Sequence, residues 1–558
     1  MGHRAFHLLS FVAIVAALSG GQASAQGGAS AIVAASASPA KADAAFQAAL
    51  KQGQLQLRNF FLDFPKGGDL HVHLSGAVYA ETFIRDAGED GLCVDPSALS
   101  FAQPPCAAPL IPASDLSGNV TAANQSLYDK LVDSFSMRSF VASEAWSGHD
   151  QFFATFGHFG GLKGTHIGEW VDEVAGRAAD QNNQYLELME TPAFSHARQI
   201  AHQIGWSAAL QSADPQAFAQ FRQQLLAAGL AQEVQPDRDE VSQAEAGRKK
   251  IEQCGTPQAA PACQVQVRYI YQILRANPPE QVFAQTLLGF ETVHASLAAK
   301  DDTWVGINFV QPEDAYIAMR DYTLQMKMVA YLHSVYPDVP ISLHAGELAY
   351  GLVPPEGLRF HIRQAVEIAG AQRIGHGVDL MYEDNPEQLL KELAQKHVMI
   401  EINLTSNQGI LGISGKMHPL TAYLNAKVPI ALSTDDEGVN RSDLTHEYVE
   451  AALNYNLTYG NLVKMARTSM EHSFLPGASL WRFEDHYMAP VKQCEQDTLG
   501  APSPSAACKA FLDSSEKATA QWEFERRLAA FQSMYSTRAN KAEAKAKAGG
   551  LSSDSSSQ

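Results

Sequence analysis

The chain has 558 residues, 46% of them hydrophobic, which is apolar surface enough for a substantial core and excludes global disorder. Its length fits one large domain with insertions, or two or three ordinary ones. A formal charge of -19 argues against a polyanion-binding surface, and so against nucleic acid as a partner, and favours a neutral or cationic small molecule.

Residues 1–25 read as an export signal. His3 and Arg4 form a basic start, Leu8 to Leu18 is an apolar run too short to span a bilayer, and Ala23-Ser24-Ala25 is a small-residue cleavage site before Gln26. The expected product is exported, periplasmic or secreted, with no membrane contact once the signal is cleaved. Residues 26–45 are Ala/Ser-rich and read as a flexible lead-in, and Ala44 to Phe60 has helical periodicity. Eight strand candidates follow: Asp69–Leu74, Tyr185–Met189, Val265–Tyr271, Thr303–Phe309, Ile341–His344, Arg373–Gly375, Val398–Leu404 and Ile430–Thr434. Helical stretches such as Tyr316–Tyr336, Arg359–Ala369 and Pro386–Lys396 separate them. Strands alternating with helices predict parallel βα units, and eight of them predict an α/β fold of the closed (β/α)8 (TIM) barrel type.

The excess length falls at insertions near 86–130, 205–262 and 488–512 of a single domain over 46–540. The six cysteines fall in three pairs at short separation within or at the edge of these insertions, so local bridges Cys93–Cys106, Cys254–Cys263 and Cys494–Cys508 are the simplest pairing in an oxidising compartment. Lys517 to Ser536 is amphipathic and reads as a C-terminal helix packed on the core; residues 541–558 read as a disordered tail.

Four motifs end strand candidates: His71-Val-His73, His344-Ala-Gly346-Glu347, Gly375-His376-Gly377 and Ser433-Thr434-Asp435-Asp436. The C-terminal rim of a β/α barrel is where such folds hold their chemistry. A period of two puts His71 and His73 on one strand face, and imidazole is a common ligand for zinc. His344 supplies a third nitrogen. Asp435 and Asp436 repel one another unless a cation compensates, so one of the two can bind a metal while the other faces the ligand. Gly346 turns the chain so that Glu347 faces the pocket as a proton donor of raised pKa. His376, between glycines, is placed to hold an activated water together with Asp435.

These motifs resemble the adenosine deaminase family. The first-strand segment from Pro65 to Gly76, then His344-Ala-Gly-Glu347, Arg373-Ile-Gly-His376-Gly377, Thr405-Ser406-Asn407, Ser433-Thr-Asp435-Asp436 and Phe474-Leu-Pro476, follow its order over roughly residues 60–480. The resemblance implies one Zn2+ per chain on His71, His73, His344 and Asp435. It implies that Glu347 protonates purine N1 while zinc-activated hydroxide attacks C6, that His376 positions the hydroxide, and that Asp436 bonds N7. Substrates would be adenosine and 2′-deoxyadenosine, with water as co-substrate and inosine and ammonia as products from adenosine. Ser75 stands where the family often has an Asp on the ribose. Gln311, two residues before Glu313, stands where it usually has a purine-contacting glycine. Ser75, Gly346, Gln311 and Glu313 are therefore expected substrate contacts, and the preferred nucleoside is left open. So are a related metal-dependent hydrolase of another aminopurine or amide, an extracellular purine-binding protein with secondary catalysis, and the oligomeric state.

Overall fold

A computed structural model describes residues 38–118, 120–301 and 303–550. The export signal, its cleavage site and most of the lead-in lie outside the described residues, as does the tail from 551 on. Among the described residues no helix is long and apolar enough to cross a membrane.

Eight parallel strands form the framework: β1 Gly67–His73, β2 Asn183–Glu190, β3 Gln266–Leu274, β4 Trp304–Val310, β5 Ser342–Ala345, β6 Arg373–His376, β7 Met399–Ile402 and β8 Ile430–Leu432. All eight coincide with the expected candidates to within a few residues. They pair as two four-stranded parallel sheets, β1-β2-β3-β4 and β5-β6-β7-β8. Single parallel bridges join the sheets at both edges, Val72 to Asp435 and Ile307 to Ile341. The first seam carries a reciprocal pair of backbone bonds, His73 N–H to Asp435 O at 3.0 Å and Asp435 N–H to His71 O at 2.8 Å. The result is a closed barrel, and every residue of β1, β4, β5, β6, β7 and β8 is buried. Burial on both faces is why β4, β7 and β8 read as largely apolar runs rather than as alternating ones.

Helices Pro279–Ala299, Tyr316–Val335, His361–Glu367 and Pro386–Gln395 return the chain between strands. The C-terminal helix, Glu516–Gly550, sends Phe524, Leu528 and Phe531 into the main core beside Phe46, Phe60 and Phe64. That helix corrects one expectation, since it continues through residues 541–550 of the tail read as disordered. A second correction lies at the start. Helix Pro39–Gln52 begins inside the expected lead-in because Ala42 and Phe46 are fully buried. The single helix expected over Ala44 to Phe60 is two, broken at Gly53, whose φ of +93° belongs to glycine.

The excursion between β1 and β2 is longer than the insertion expected near 86–130. It builds a small antiparallel sheet (Cys93–Asp95, Ser100–Ala102, Ile111–Pro112) and helices Gln125–Ser134 and Gly148–His158 around a satellite core. The 205–262 insertion is helical, as expected. The 488–512 segment is more ordered than a loop: His486–Pro490 pairs with Trp481–Phe483, and Ala506–Leu512 is a helix. The three local disulfides form as expected, with no free cysteine.

Candidate metal and active centre

His71 and His73 lie on the inward face of β1, His344 on β5, and Asp435 three residues beyond the end of β8. Their donor atoms converge. His71 Nε2 is 3.1 Å and His73 Nε2 is 3.2 Å from His344 Nε2; Asp435 Oδ1 is 3.3 Å from His71 Nε2 and 3.1 Å from His73 Nε2. A tetrahedron with bonds of about 2.0–2.1 Å has edges of about 3.3 Å, so this spacing fits zinc. His376 Nε2 is 4.0 Å from Asp435 Oδ2, outside that tight set but beside it.

Each ligand ring is oriented by a different partner on its far nitrogen. His71 Nδ1 meets Glu401 Oε2 at 2.6 Å, His344 Nδ1 meets Asn308 Oδ1 at 2.8 Å, and His73 Nδ1 meets Gln272 Oε1 in a short contact. Three acceptors on the Nδ1 side leave all three Nε2 atoms free for a metal. Glu401 is also a junction. Its Oε1 accepts from Ser342 Oγ at 3.0 Å and pairs with Arg373 Nε at 2.7 Å, while Arg373 reaches on to Glu187 at 2.6 Å. Gly375 makes room for the first contact, because a Cβ there would lie 2.5 Å from His71 Cε1.

The set opens on a cavity of about 320 Å³. Glu347, Asp435 and Asp436 line it together with apolar Phe152, Phe153, Phe156, Leu274, Val310 and Pro312. Ser75, Thr191, Gln272 and Gln311 complete the lining, which includes no lysine or arginine among the described residues. Burial, reinforced by Asp435 and Glu313, raises the Glu347 pKa above the ordinary carboxylate value, which favours its protonated form. Burial likewise raises Asp436, with Asp435 adding to the effect. Burial pushes His376 down to about 3, which makes it a neutral imidazole.

The backbone at this rim is unusual. Gln311, Gly346, His376 and Asp435 all have positive φ, at +84°, +78°, +70° and +61°. Three of them bear side chains that pay for this region with strain, and such strain clusters at functional sites. Glycine is needed at 346, where a Cβ would lie 2.5 Å from Asp379 Oδ1.

The sequence-predicted residues separate here into those that line the cavity and those beneath it. His73, Ser75, Gln311, His344, Glu347, Asp435 and Asp436 line it. Glu313 and Gly346 do not. Glu313 is buried under the loop and accepts from Gly346 N–H at 3.0 Å and Glu347 N–H at 2.8 Å, with His361 closing the other side. Burial would raise the Glu313 pKa, but His361, Arg275 and the Gly346 amide outweigh it and bring it to about 2. Its place is that of an anion holding the Glu347 loop.

Sequence reasoning assigned no role to Gln272, Asn308, Glu401, Ser406, Asn407 or His418, nor to the phenylalanine wall. Ser406 Oγ donates to Asp435 Oδ2 at 2.6 Å, and Asn407 Nδ2 to His376 Nδ1 at 2.9 Å. The signals were present: Phe152, Phe153 and Phe156 share one face of a helix, and Asn308 and Glu401 are polar residues inside otherwise apolar strands.

A family model described as adenosine deaminase matches residues 167–486. His71 and His73 precede that span, and the barrel carries them to the residues within it. Adenosine deaminases of Clostridium perfringens strains ATCC 13124 and SM101 are 31% identical over 135 residues, 24% of this chain and 37% of theirs. The matched stretch thus spans little more than a third of those relatives. Among solved structures, the N6-methyl-AMP deaminase of Arabidopsis thaliana is similar over 75% of this chain and 94% of its own, at 20% identity and a TM-score of 0.44. An adenine deaminase of Arthrobacter aurescens is similar over 74% and 94%, at 15% identity and a TM-score of 0.47.

Proposed function

The chain belongs to the adenosine deaminase family, and from that premise we propose that it is an exported, zinc-dependent deaminase that hydrolyses adenosine and 2′-deoxyadenosine at C6, releasing ammonia. The observation that carries the reading is the convergence, at one cavity, of three histidines and an aspartate with a buried Glu347, whose pKa burial raises, and a buried His376.

His71, His73, His344 and Asp435 hold the ion. A zinc bound there supplies a Lewis acid that brings the pKa of a coordinated water toward neutrality. The remaining work belongs to the chain's own groups. Glu347 gives its proton to purine N1, which draws electron density off C6 as the water oxygen adds there. His376 lies beside that oxygen and stabilises the charge it develops. Asp436, kept neutral by burial, donates to N7. The C6 amine takes the proton of the newly added hydroxyl and leaves as ammonia, the other proton of the water returns to Glu347, and the 6-oxopurine keeps its proton on N1. The phenylalanine wall covers the purine and excludes bulk water, which strengthens each of these polar contacts.

An uncharged nucleoside suits this cavity better than a nucleotide, since no lysine or arginine among the lining residues meets a phosphate. The test is ammonia release and conversion to the 6-oxopurine by the mature, zinc-replete protein, against a panel of adenosine, 2′-deoxyadenosine, AMP and adenine. Adenosine should be turned over far faster than AMP. A zinc-loaded protein inert on every 6-aminopurine would defeat the proposal and turn attention to amides and other amines. Export is tested by cell fractionation and by the mass of the mature N-terminus, expected at Gln26.

A further inference from the structure

A neutral imidazole has one N–H and one bare nitrogen, and the partner of one atom decides the state of the other. For His376 the decision can be traced to a backbone amide. Leu420 N–H, which only donates, points at His418 Nδ1 at 3.1 Å. His418 therefore carries its proton on Nε2, and Nε2 lies 3.1 Å from Asn407 Oδ1. That contact orients the Asn407 amide and turns its Nδ2 toward His376 Nδ1 at 2.9 Å. Asn403 Nδ2 approaches the same nitrogen at 3.3 Å. His376 Nδ1 is thus an acceptor, and the ring proton sits on Nε2. Nε2 has no hydrogen-bond partner among the described residues and lies beside Asp435. His376, Asn407 and His418 are all buried, at 0%, 0% and 3% exposure, so water does not offer the chain an alternative.

Reversing any member breaks the series. A flipped Asn407 would set its NH2 against the His418 N–H, two donors face to face. A doubly protonated His418 would face the Leu420 amide in the same way.

We infer that Asn407 and His418 are positioning residues that lock His376 as its Nε2–H tautomer, so that it meets the oxygen arriving at C6 as a hydrogen-bond donor and not as a base. The consequence for turnover rests on the deaminase reading above; the tautomer rests on hydrogen-bond geometry alone.

The test is histidine-selective 15N labelling of the full-length, zinc-loaded protein, with long-range 1H–15N correlation to read each ring. Wild-type His376, identified by the signals lost in His376→Gln, should be Nε2–H. Asn407→Asp replaces the donor with a group that only accepts; it should move the proton to Nδ1 and cut kcat about a hundredfold, the scale of a misplaced proton-transfer partner, with KM and zinc content held. His418→Ala should weaken the lock, and His418→Gln, which retains an acceptor and a donor, should restore most of the rate lost. A wild-type His376 found as Nδ1–H overturns the inference, as does an Asn407→Asp enzyme with wild-type kcat. A wild type that shows the Nε2–H ring but deaminates no aminopurine overturns the functional reading and leaves the tautomer standing.

Discussion

Lys66 and His376 are both buried at 0% exposure, at opposite ends of the same barrel, and their surroundings treat them in opposite ways. Lys66, just before β1, turns its Nζ toward three backbone carbonyls, those of Phe61, Phe64 and Gln181. Near that end Asp485 is shared by His397 at 2.7 Å and His472 at 2.8 Å, and the guanidinium of Arg373 lies over the Phe474 ring at 3.8 Å. At the C-terminal end, by contrast, His376 Nε2 and Asp436 Oδ1 find no hydrogen-bond partner among the described residues, and side-chain-bearing residues sit in left-handed backbone. Burying a polar group without a partner costs of order 1–3 kcal/mol. The N-terminal end gives Lys66, Asp485 and Arg373 partners and acts as a foundation. The C-terminal end leaves His376 and Asp436 for a ligand to satisfy, which is why substitutions at the two ends should be felt in different observables.

The largest effect is expected at the working end. Glu347→Gln keeps the volume and removes the proton, so kcat should fall about 10²–10⁴-fold while zinc content, measured by metal analysis, is retained. Loss of zinc together with rate would blur the division between proton donor and metal set. Next comes the link between the ends. Glu401→Gln keeps an acceptor for His71 but removes the charge that Arg373 balances, and zinc affinity, read by chelator competition, should weaken about 10–100-fold. Gly375→Ala should act in the same direction, because its Cβ would press on the His71 ring. Phe153→Ala thins the cavity wall and should raise KM for adenosine roughly tenfold, the equivalent of about 1.4 kcal/mol, without displacing zinc.

The smallest effect on activity, and the clearest on stability, belongs to Lys66. Burial lowers its pKa from 10.5 to about 7. Between those values the unfolded chain binds the proton and the folded one does not, so the Lys66 contribution favours the folded state above about pH 10 and is lost as pH falls toward 7. The melting temperature of the wild type should gain on that of Lys66→Met as pH rises across this window. A constant difference between the two would remove Lys66 as a titrating group of the foundation.

The barrel was legible because its strands are buried on both faces. Runs such as Val339-Pro-Ile-Ser-Leu-His344 stand out against helices of visible period, and the proposed metal ligands are His and Asp at or near the ends of such runs. The support for those ligands was not legible. Asn308 and Glu401 interrupt apolar strands, Gln272 lies in a mixed one, and only the closed barrel shows that each points at the back of a different histidine. Glu313 sits in the motif region yet serves the loop from below, a distinction that depends on which way two backbone amides face. The Phe152–Phe156 wall belongs to an excursion whose place over the rim is set by tertiary contacts, such as the seating of Gly148 against the Gly409 carbonyl, where a Cβ would lie 1.9 Å away. Gly53 could have been read as a helix break and was overridden by the apolar period on both sides of it.

The barrel is closed by two seams, each a single bridge, and the ligand set lies across one of them. His71 and His73 belong to the sheet that begins the barrel, His344 and Asp435 to the sheet that completes it. An ion held by all four is therefore a rivet between two half-barrels as well as a reagent. Its binding free energy then becomes cohesion of the whole fold: at a free concentration one hundred times the Kd, zinc would add about 2.7 kcal/mol to stability. Chelation should lower the melting temperature and open the β1–β8 seam to amide exchange before the β2–β3 interior, so the same four atoms that would ready water for attack would also decide how firmly the barrel stays shut.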